Sequence, residues 1–164
     1  MSVVYLSLGS NMGDKEDNMR NALKLIKDMD EIRKVSPLYQ TEPMGFKDQS
    51  FFLNCVIEVQ TNSNPEQMLL FLKSIEQKLG RTASVKNGPR IIDIDILFFD
   101  DFCIENDDVI IPHPRLHERL FVLIPLMDVN PDVIHPLLKK TVRELYDAVQ
   151  HEEMVTLYKN TWFL

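Results

Sequence analysis

Two aspartates, Asp93 and Asp95, lie two positions apart in residues 91–97, a stretch that otherwise has the composition of a buried strand. Side chains alternate between the faces of a strand, so both carboxylates point one way while the intervening isoleucines point the other. Two like charges side by side are costly unless a cation lies near them. The preceding segment, 81–90, supplies Arg81, Lys86 and Arg90 and contains no acid. This layout favours a divalent cation with a phosphate; solvated carboxylates on an open sheet face are the alternative.

Hydrophobic patterning predicts the elements that position this acidic pair. Strands are expected at 3–8, at 32–39 with a bend at Pro37, at 52–61 and at the acidic pair. Asp14 can cap a first helix, and Asn64 with Pro65 can open a second helix that ends at Gly80. The order strand, helix, strand, strand, helix, strand predicts a ferredoxin-like α+β fold, with a mainly antiparallel sheet and helices packed on one face.

The C-terminal part of the chain predicts further elements. A short strand at 109–111 is followed by a helix at 116–127, interrupted near Pro125, and by a last helix at 142–149 that begins after Thr141. Residues 151–164 give no clear signal. We expect a single domain over residues 1–164, with a core at about 1–128 and a helical extension at 129–164.

Charge and composition limit the function classes. The net charge of −7 disfavours nonspecific nucleic-acid binding, which needs a basic surface. No apolar run is long enough for a membrane span, and the first residues lack the pattern of a signal peptide. We therefore expect a cytoplasmic protein without a membrane or nucleic-acid partner, and a monomer. Cys55 and Cys103 lack metal-site spacing and are interpreted as buried thiols in a reducing compartment.

Two further motifs each have two interpretations. The loop from Gly9 to Gly13 joins a strand to a helix and can cradle a phosphate, but it lacks the known phosphate-loop patterns, so a plain tight turn is favoured. His113 lies between two prolines just after a strand. That rigid placement suits a donor to phosphate.

Several short blocks, taken together and in order, resemble 6-hydroxymethyl-7,8-dihydropterin pyrophosphokinases. They are Leu8-Gly9-Ser10-Asn11, Thr41-Glu42-Pro43-Met44-Gly45, Phe52-Leu53-Asn54, Gly88-Pro89-Arg90 with Ile92-Asp93-Ile94-Asp95-Ile96, and Pro112-His113-Pro114-Arg115 with Glu118-Arg119 and Phe121-Val122-Leu123. Each block is weak alone, whereas their order is specific. The resemblance implies transfer of pyrophosphate from ATP to the hydroxymethyl group of a dihydropterin, with release of AMP, as a step in folate synthesis.

The resemblance also implies roles for individual residues. Asp93 and Asp95 would hold two Mg²⁺ ions. Cationic and polar groups would contact the triphosphate, namely Arg81, Lys86, Arg90, His113 and Arg119. Glu76 and Ile96 would contact the nucleotide. The pterin would stack between Phe52 and Phe121, with its rim bonded by Asn54 and by the segment Thr41, Glu42, Pro43 and Met44.

The chain departs from the family pattern in the segment 81–88. This segment is about one residue shorter than usual, with Ala83 and Asn87 where an arginine and a tryptophan are common. Lys86 either replaces the missing arginine or is a solvated surface lysine. Two rival functions remain open from the residues alone: a noncatalytic ferredoxin-like ligand-binding module, and a metal-dependent phosphohydrolase.

Overall fold

The structure is a computed structural model that describes residues 1–42, 50–80 and 89–163. The strands are β1 Ser2–Ser10, β2 Glu31–Val35, β3 Leu38–Thr41, β4 Phe52–Thr61, β5 Asp93–Phe99, β6 Ile104–Glu105, β7 Ile110–Ile111 and β8 Val155–Lys159. The helices are α1 Lys15–Met29, α2 Pro65–Lys78, α3 Leu120–Val129 and α4 Val142–Ala148, with a 3₁₀ helix at Leu116–Glu118. No helix in these ranges is long and apolar enough to cross a membrane.

The central sheet is antiparallel, in the order β5-β1-β4-β3-β8, with β2 also paired to β4. The predicted second strand is therefore divided into β2 and β3, and the break falls at Ser36 and Pro37. Proline has no N–H to donate to the ladder. Ser36 keeps the connection by donating its backbone N–H to Val56 O at 2.9 Å and accepting the Val56 N–H on its Oγ at 2.9 Å. The ferredoxin-like βαββαβ order is confirmed.

Helices α1 and α2 pack on one face of the sheet, as their sequence periodicity predicts. The Asp14 side chain caps α1 by accepting the Asp17 N–H at 3.1 Å, and Asn64 with Gln67 forms a reciprocal capping box at α2. The apolar side chains on the inner faces of both helices pack against alternate residues of β1, β4 and β5. Met19 and Leu23 of α1 are fully buried, as is Ile57 of β4.

The C-terminal helices cover the opposite face, a placement that the sequence pattern does not specify. Val56, Leu97 and Phe98 form a second cluster with the apolar side chains of α3 and α4. Polar residues of β4 are buried on this face as well; Asn54 is 7% and Glu58 8% exposed.

A bulge in β5 changes the alternation by which its residues face the two sides of the sheet. Leu6 pairs with Ile96 and Tyr5 pairs with Phe98, so Leu97 is the extra residue. Ile94 and Ile96 thus face α1 and α2, whereas Leu97 and Phe98 both join the second cluster. Asp93 and Asp95 precede the bulge, so they keep the simple alternation and share a face.

The prediction that the third helix is interrupted near Pro125 is wrong. Pro125 lies inside α3, and the break falls at Arg119, which has extended backbone angles between the 3₁₀ helix and α3. An internal proline costs about 3 kcal/mol. Leu123 and Leu126, both fully buried, outweigh that cost at roughly 1.5–3 kcal/mol per side chain.

The tail that gave no sequence signal joins the sheet. Strand β8 pairs with β3, and the buried Trp162 donates its Nε1–H to Ser36 O at 2.8 Å. Most of β8 is exposed. It therefore lacks the alternation by which a half-buried strand is recognised.

Candidate active site

Three neighbouring strands bring the predicted residues into one row. Gly9 of β1 pairs with Asn54 of β4 on one side and with Asp93 of β5 on the other. Two residues earlier in β1, Ser7 pairs with Asp95. Directly paired residues of adjacent strands point to the same face. The acidic pair and the Asn54 amide therefore lie on the face that α3 covers.

This face opens into a cleft of about 690 Å³, solvent-open space included, which we call the first cleft. Its described lining residues are Ser7, Leu8, Gly9, Thr41, Glu42, Phe52, Asn54, Arg90, Asp93, Asp95, Arg119 and Phe121. The structure thus gathers most of the predicted residues from four separate segments. Four further predicted site residues lie outside the described residues, namely Pro43, Met44, Arg81 and Lys86.

Arg119 lies between the acidic pair and the aromatic wall. Burial is the main cause that lowers its pKa from the ordinary value, followed by Arg115, while Asp95 and Asp93 act in the opposite direction. Its Cζ atom is 5.6 Å from the centroid of the Phe121 ring. Its Nε is buried and has no hydrogen-bond partner among the described residues. A guanidinium held in this way is ready to bind an anion in the cleft.

Asn54 is oriented by its neighbours on the other side of the cleft. Its Nδ2 donates to the Thr41 Oγ1 at 2.6 Å. A Cβ atom at Gly9 would be 2.9 Å from the Asn54 Oδ1, closer than such contacts allow. Gly9 therefore has a role that its interpretation as a turn residue missed, and the turn itself comes later, where Gly13 has a φ of +66°. The strand register, which pairs Gly9 with Asn54, is the signal that identifies it.

A second cleft lies on the other side of Asp95. Its described lining consists of Leu69, Ile94, Asp95, Ile96, Asn106, Asp107, Asp108, Val109, Ile110, His113 and Pro114. Two predicted nucleotide contacts, Ile96 and His113, are found here. Because Asp95 lines both clefts, a ligand that extends from one cleft to the other passes this carboxylate.

His113 is a neutral donor in this setting. Burial, followed by the charges of Arg119 and Arg115, lowers its pKa to about 4, while Asp93 acts in the opposite direction. Its Nδ1 accepts the Arg115 N–H at 3.1 Å. The proton of the neutral ring must therefore be on Nε2. His113 therefore offers one N–H to an anion without a positive charge, and its role as a donor to phosphate stays a prediction.

Glu76 lies apart from the lining of both clefts as the described residues form them. It is buried on α2, and its carboxylate accepts the Ile94 N–H at 2.9 Å. Since Ile94 lies between Asp93 and Asp95, this bond fixes the strand that carries the acidic pair. The predicted contact of Glu76 with the nucleotide stays a prediction.

The site thus combines a ferredoxin-like α+β sheet with an acidic pair, two half-buried arginines and a cleft lined by aromatic side chains. Residues 5–131 match the family described as 7,8-dihydro-6-hydroxymethylpterin-pyrophosphokinase (HPPK), and the chain belongs to this family. The family prediction is confirmed.

Individual relatives agree with this assignment. The 2-amino-4-hydroxy-6-hydroxymethyldihydropteridine pyrophosphokinase of Bacillus subtilis is 45% identical over 134 residues, which are 80% of this chain and 80% of that protein. The folic acid synthesis protein FOL1 of Dictyostelium discoideum is 42% identical over 88% of this chain, but the match spans only 22% of that longer protein.

A solved structure shows the same fold. The Plasmodium falciparum HPPK-DHPS superposes with a TM-score of 0.74 at 22% identity, over 89% of this chain and 45% of that one.

Proposed function

We propose that this protein transfers pyrophosphate from ATP to the hydroxymethyl group of 6-hydroxymethyl-7,8-dihydropterin, giving AMP and the dihydropterin diphosphate. One observation carries the proposal: a single cleft is lined by two phenylalanines and an amide as well as by an acidic pair and two arginines. This combination matches a flat polar acceptor that must meet a charged phosphate chain. Family membership supplies the identities of both substrates.

The donor set fits Mg²⁺. Among the described residues, no three His, Cys, Asp or Glu side chains are grouped so that they could hold a metal by themselves. Mg²⁺ rarely uses such a cage; it binds one or two carboxylates and takes its other oxygens from water and substrate phosphates. Asp93 and Asp95 would hold the ion, or the two ions that the family resemblance implies. When bound, Mg²⁺ neutralises phosphate charge and polarises the attacking hydroxyl.

The side chains of the first cleft would position both reactants. Phe52 and Phe121 would stack on the two faces of the pterin, while Asn54 bonds its rim. Arg90 and Arg119 would bind phosphate oxygens, and a phosphate would give the Arg119 Nε the partner it lacks among the described residues. Placing the hydroxymethyl oxygen beside the β-phosphorus would contribute to the rate together with electrostatic stabilisation of the phosphate charge.

The nucleotide would occupy the second cleft with its phosphates directed toward Asp95. Ile96 offers an apolar contact to the base, and the His113 Nε2–H offers a neutral hydrogen bond to a phosphate oxygen. The shared position of Asp95 supports this direction. The reaction would then take place at the junction of the two clefts.

The decisive experiment measures AMP formed from ATP and Mg²⁺, with and without 6-hydroxymethyl-7,8-dihydropterin. The proposal requires AMP that depends on the pterin. Phosphate release without pterin would indicate the phosphohydrolase instead, and the absence of any turnover would indicate the binding module.

We further propose that residues 1–164 form one pyrophosphokinase domain, acting as a monomer in the cytoplasm. The pairing of β8 with β3 supports the single domain, because it joins the C-terminal extension to the core sheet.

A further inference from the structure

Asn11 is a buried polar residue just beyond β1, only 3% exposed. It does not belong to the described lining of the first cleft. The reaction proposed above therefore gives it no direct role. Its hydrogen bonds nevertheless reach two segments that enter the cleft from opposite sides.

On one side Asn11 holds Arg90. The Asn11 backbone N–H donates to Arg90 O at 3.0 Å, and its side-chain Oδ1 accepts the Arg90 N–H at 2.7 Å. The regular β1–β5 pairing ends at Gly9 and Asp93. Beyond that point the side chain of Asn11 takes the place of a ladder partner, so Arg90 stays fixed three residues before the acidic pair begins.

On the other side Asn11 holds Ser50. Its Nδ2 donates to Ser50 O at 3.3 Å, and the Ser50 Oγ donates to Asn11 O at 2.6 Å. Ser50 comes two residues before Phe52, which begins β4 and forms an aromatic wall of the cleft. The same amide thus connects the pterin end of the cleft to its phosphate end.

The contacts require an amide. Oδ1 accepts from Arg90 while Nδ2 donates to Ser50, and only a side chain with both functions at that length satisfies the two partners. An aspartate at position 11 would still accept the Arg90 N–H. Its second carboxylate oxygen, however, would face the Ser50 carbonyl oxygen, and neither of these two acceptors has a proton to donate. Asn18 stabilises the turn that follows Asn11, because its Nδ2 donates to Met12 O at 2.7 Å.

We propose that Asn11 is a positioning residue for pyrophosphoryl transfer, which sets the separation between the pterin pocket and the Arg90–Asp93 segment. The proposal rests on the function proposed above. A positioning residue affects the alignment of bound reactants more than their binding, and misplacement by about 1 Å can cost about a hundredfold in rate.

The test compares Asn11→Asp with Asn62→Asp, which makes the same change of charge at an exposed turn after β4. For Asn11→Asp we expect kcat to fall about 30- to 100-fold, with calorimetric Kd values for ATP and for the pterin within about threefold of wild type. Asn62→Asp should leave all three quantities unchanged. Ser50→Ala, which removes one contact only, should lower kcat about three- to tenfold and guards against a variant that fails to fold.

A double-mutant cycle with Ser50→Ala shows whether Asn11 acts through its connection to Ser50, which both substitutions weaken. In the Ser50→Ala background, the loss of kcat caused by Asn11→Asp should be at least about threefold smaller than in the wild type. The proposal would be overturned if the kcat losses of the two single variants multiplied fully in the double variant. It would also be overturned if Asn11→Asp had a normal kcat per folded molecule. A wild-type protein that forms no pterin-dependent AMP would instead overturn the proposed function, so the two failures are distinguishable.

Discussion

The two faces of the sheet are built from different kinds of contact. On the α1–α2 face, the side chains that meet the sheet are apolar and almost fully buried, except for Glu76, whose carboxylate accepts the Ile94 N–H. On the α3–α4 face, Tyr5 donates its hydroxyl to Glu58 at 2.6 Å and accepts the Asn130 amide at 3.0 Å. Burial and the bond to Glu58 raise the pKa of Tyr5 to about 12. Polar groups buried in this way are costly unless each is paired, and they fix one arrangement.

The polar contacts of the second face hold the far end of α3. Tyr39 donates its hydroxyl to Asp128, and the Lys34 Nζ donates to Val129 O at 3.1 Å. The other end of α3 begins at Arg119 and presents Phe121 to the first cleft. The α1–α2 face therefore contributes mainly stability, with one directional bond from Glu76, while the α3–α4 face uses several directional bonds to position the site.

The largest effect should come from the acidic pair on the second face. Asp95→Ala should lower kcat/KM by several orders of magnitude with little change in Tm, because each 1.4 kcal/mol of lost transition-state stabilisation costs about tenfold. Asp101→Ala, at an exposed turn, is the control. Steady-state kinetics showing more than about a tenth of wild-type kcat/KM in Asp95→Ala would remove the metal assignment.

On the α1–α2 face, a core substitution should reduce stability and leave activity unchanged. Leu72→Ala in α2 empties a site that is 1% exposed and should reduce the free energy of unfolding by about 2–5 kcal/mol. Activity per folded molecule should remain normal. Leu70 in the same helix is 68% exposed, so Leu70→Ala should be nearly neutral. Urea titrations measure the free energy of unfolding of both variants. A large loss of kcat in fully folded Leu72→Ala would contradict the assignment of the α1–α2 face mainly to stability.

A smaller effect is expected at the pterin wall. Phe121→Ala should weaken pterin binding by about 1–3 kcal/mol, because one stacking surface is lost, and leave ATP affinity almost unchanged. Phe102→Ala removes a ring that stacks on Phe99 at 5.5 Å and serves as the control. Equal calorimetric losses for both ligands in Phe121→Ala would assign the residue to the core rather than to the pocket.

The smallest effect concerns the pH dependence of stability on the second face. His135 is 4% exposed, and burial, then His117, lowers its pKa from the ordinary value. The unfolded chain therefore takes up this proton at a higher pH than the folded chain does. The resulting stability is complete above the unfolded pKa and is lost as the pH falls toward the folded one.

His135→Asn tests this dependence. The His135 Nδ1 accepts the N–H groups of Leu137 and Leu138 at 3.2 and 3.1 Å, and an asparagine Oδ1 can accept at a similar position. Between pH 7 and pH 5, the unfolding free energy of the variant should fall less steeply than that of the wild type. His151→Asn, at an exposed residue, should follow the wild-type curve; identical slopes for all three proteins would contradict the assignment.

The sequence by itself determined the elements whose signals are local. Helices α1 and α2 are marked by their caps and apolar stripes, and the face shared by Asp93 and Asp95 follows from strand alternation alone. Ordered blocks of residues also sufficed to recognise the family. These signals depend on spacings of a few residues, which the chain carries in any context.

Only the tertiary structure decided how distant segments meet. The register that places Gly9 between Asn54 and Asp93 joins residues far apart in the chain, and no local pattern encodes it. Pro125 stays helical because burial of α3 outweighs a local preference, and β8 becomes a strand because β3 offers it an edge. The sequence predicts His113 as a donor to phosphate, whereas only the fold sets its charge, because burial and two arginines brought close by folding lower its pKa.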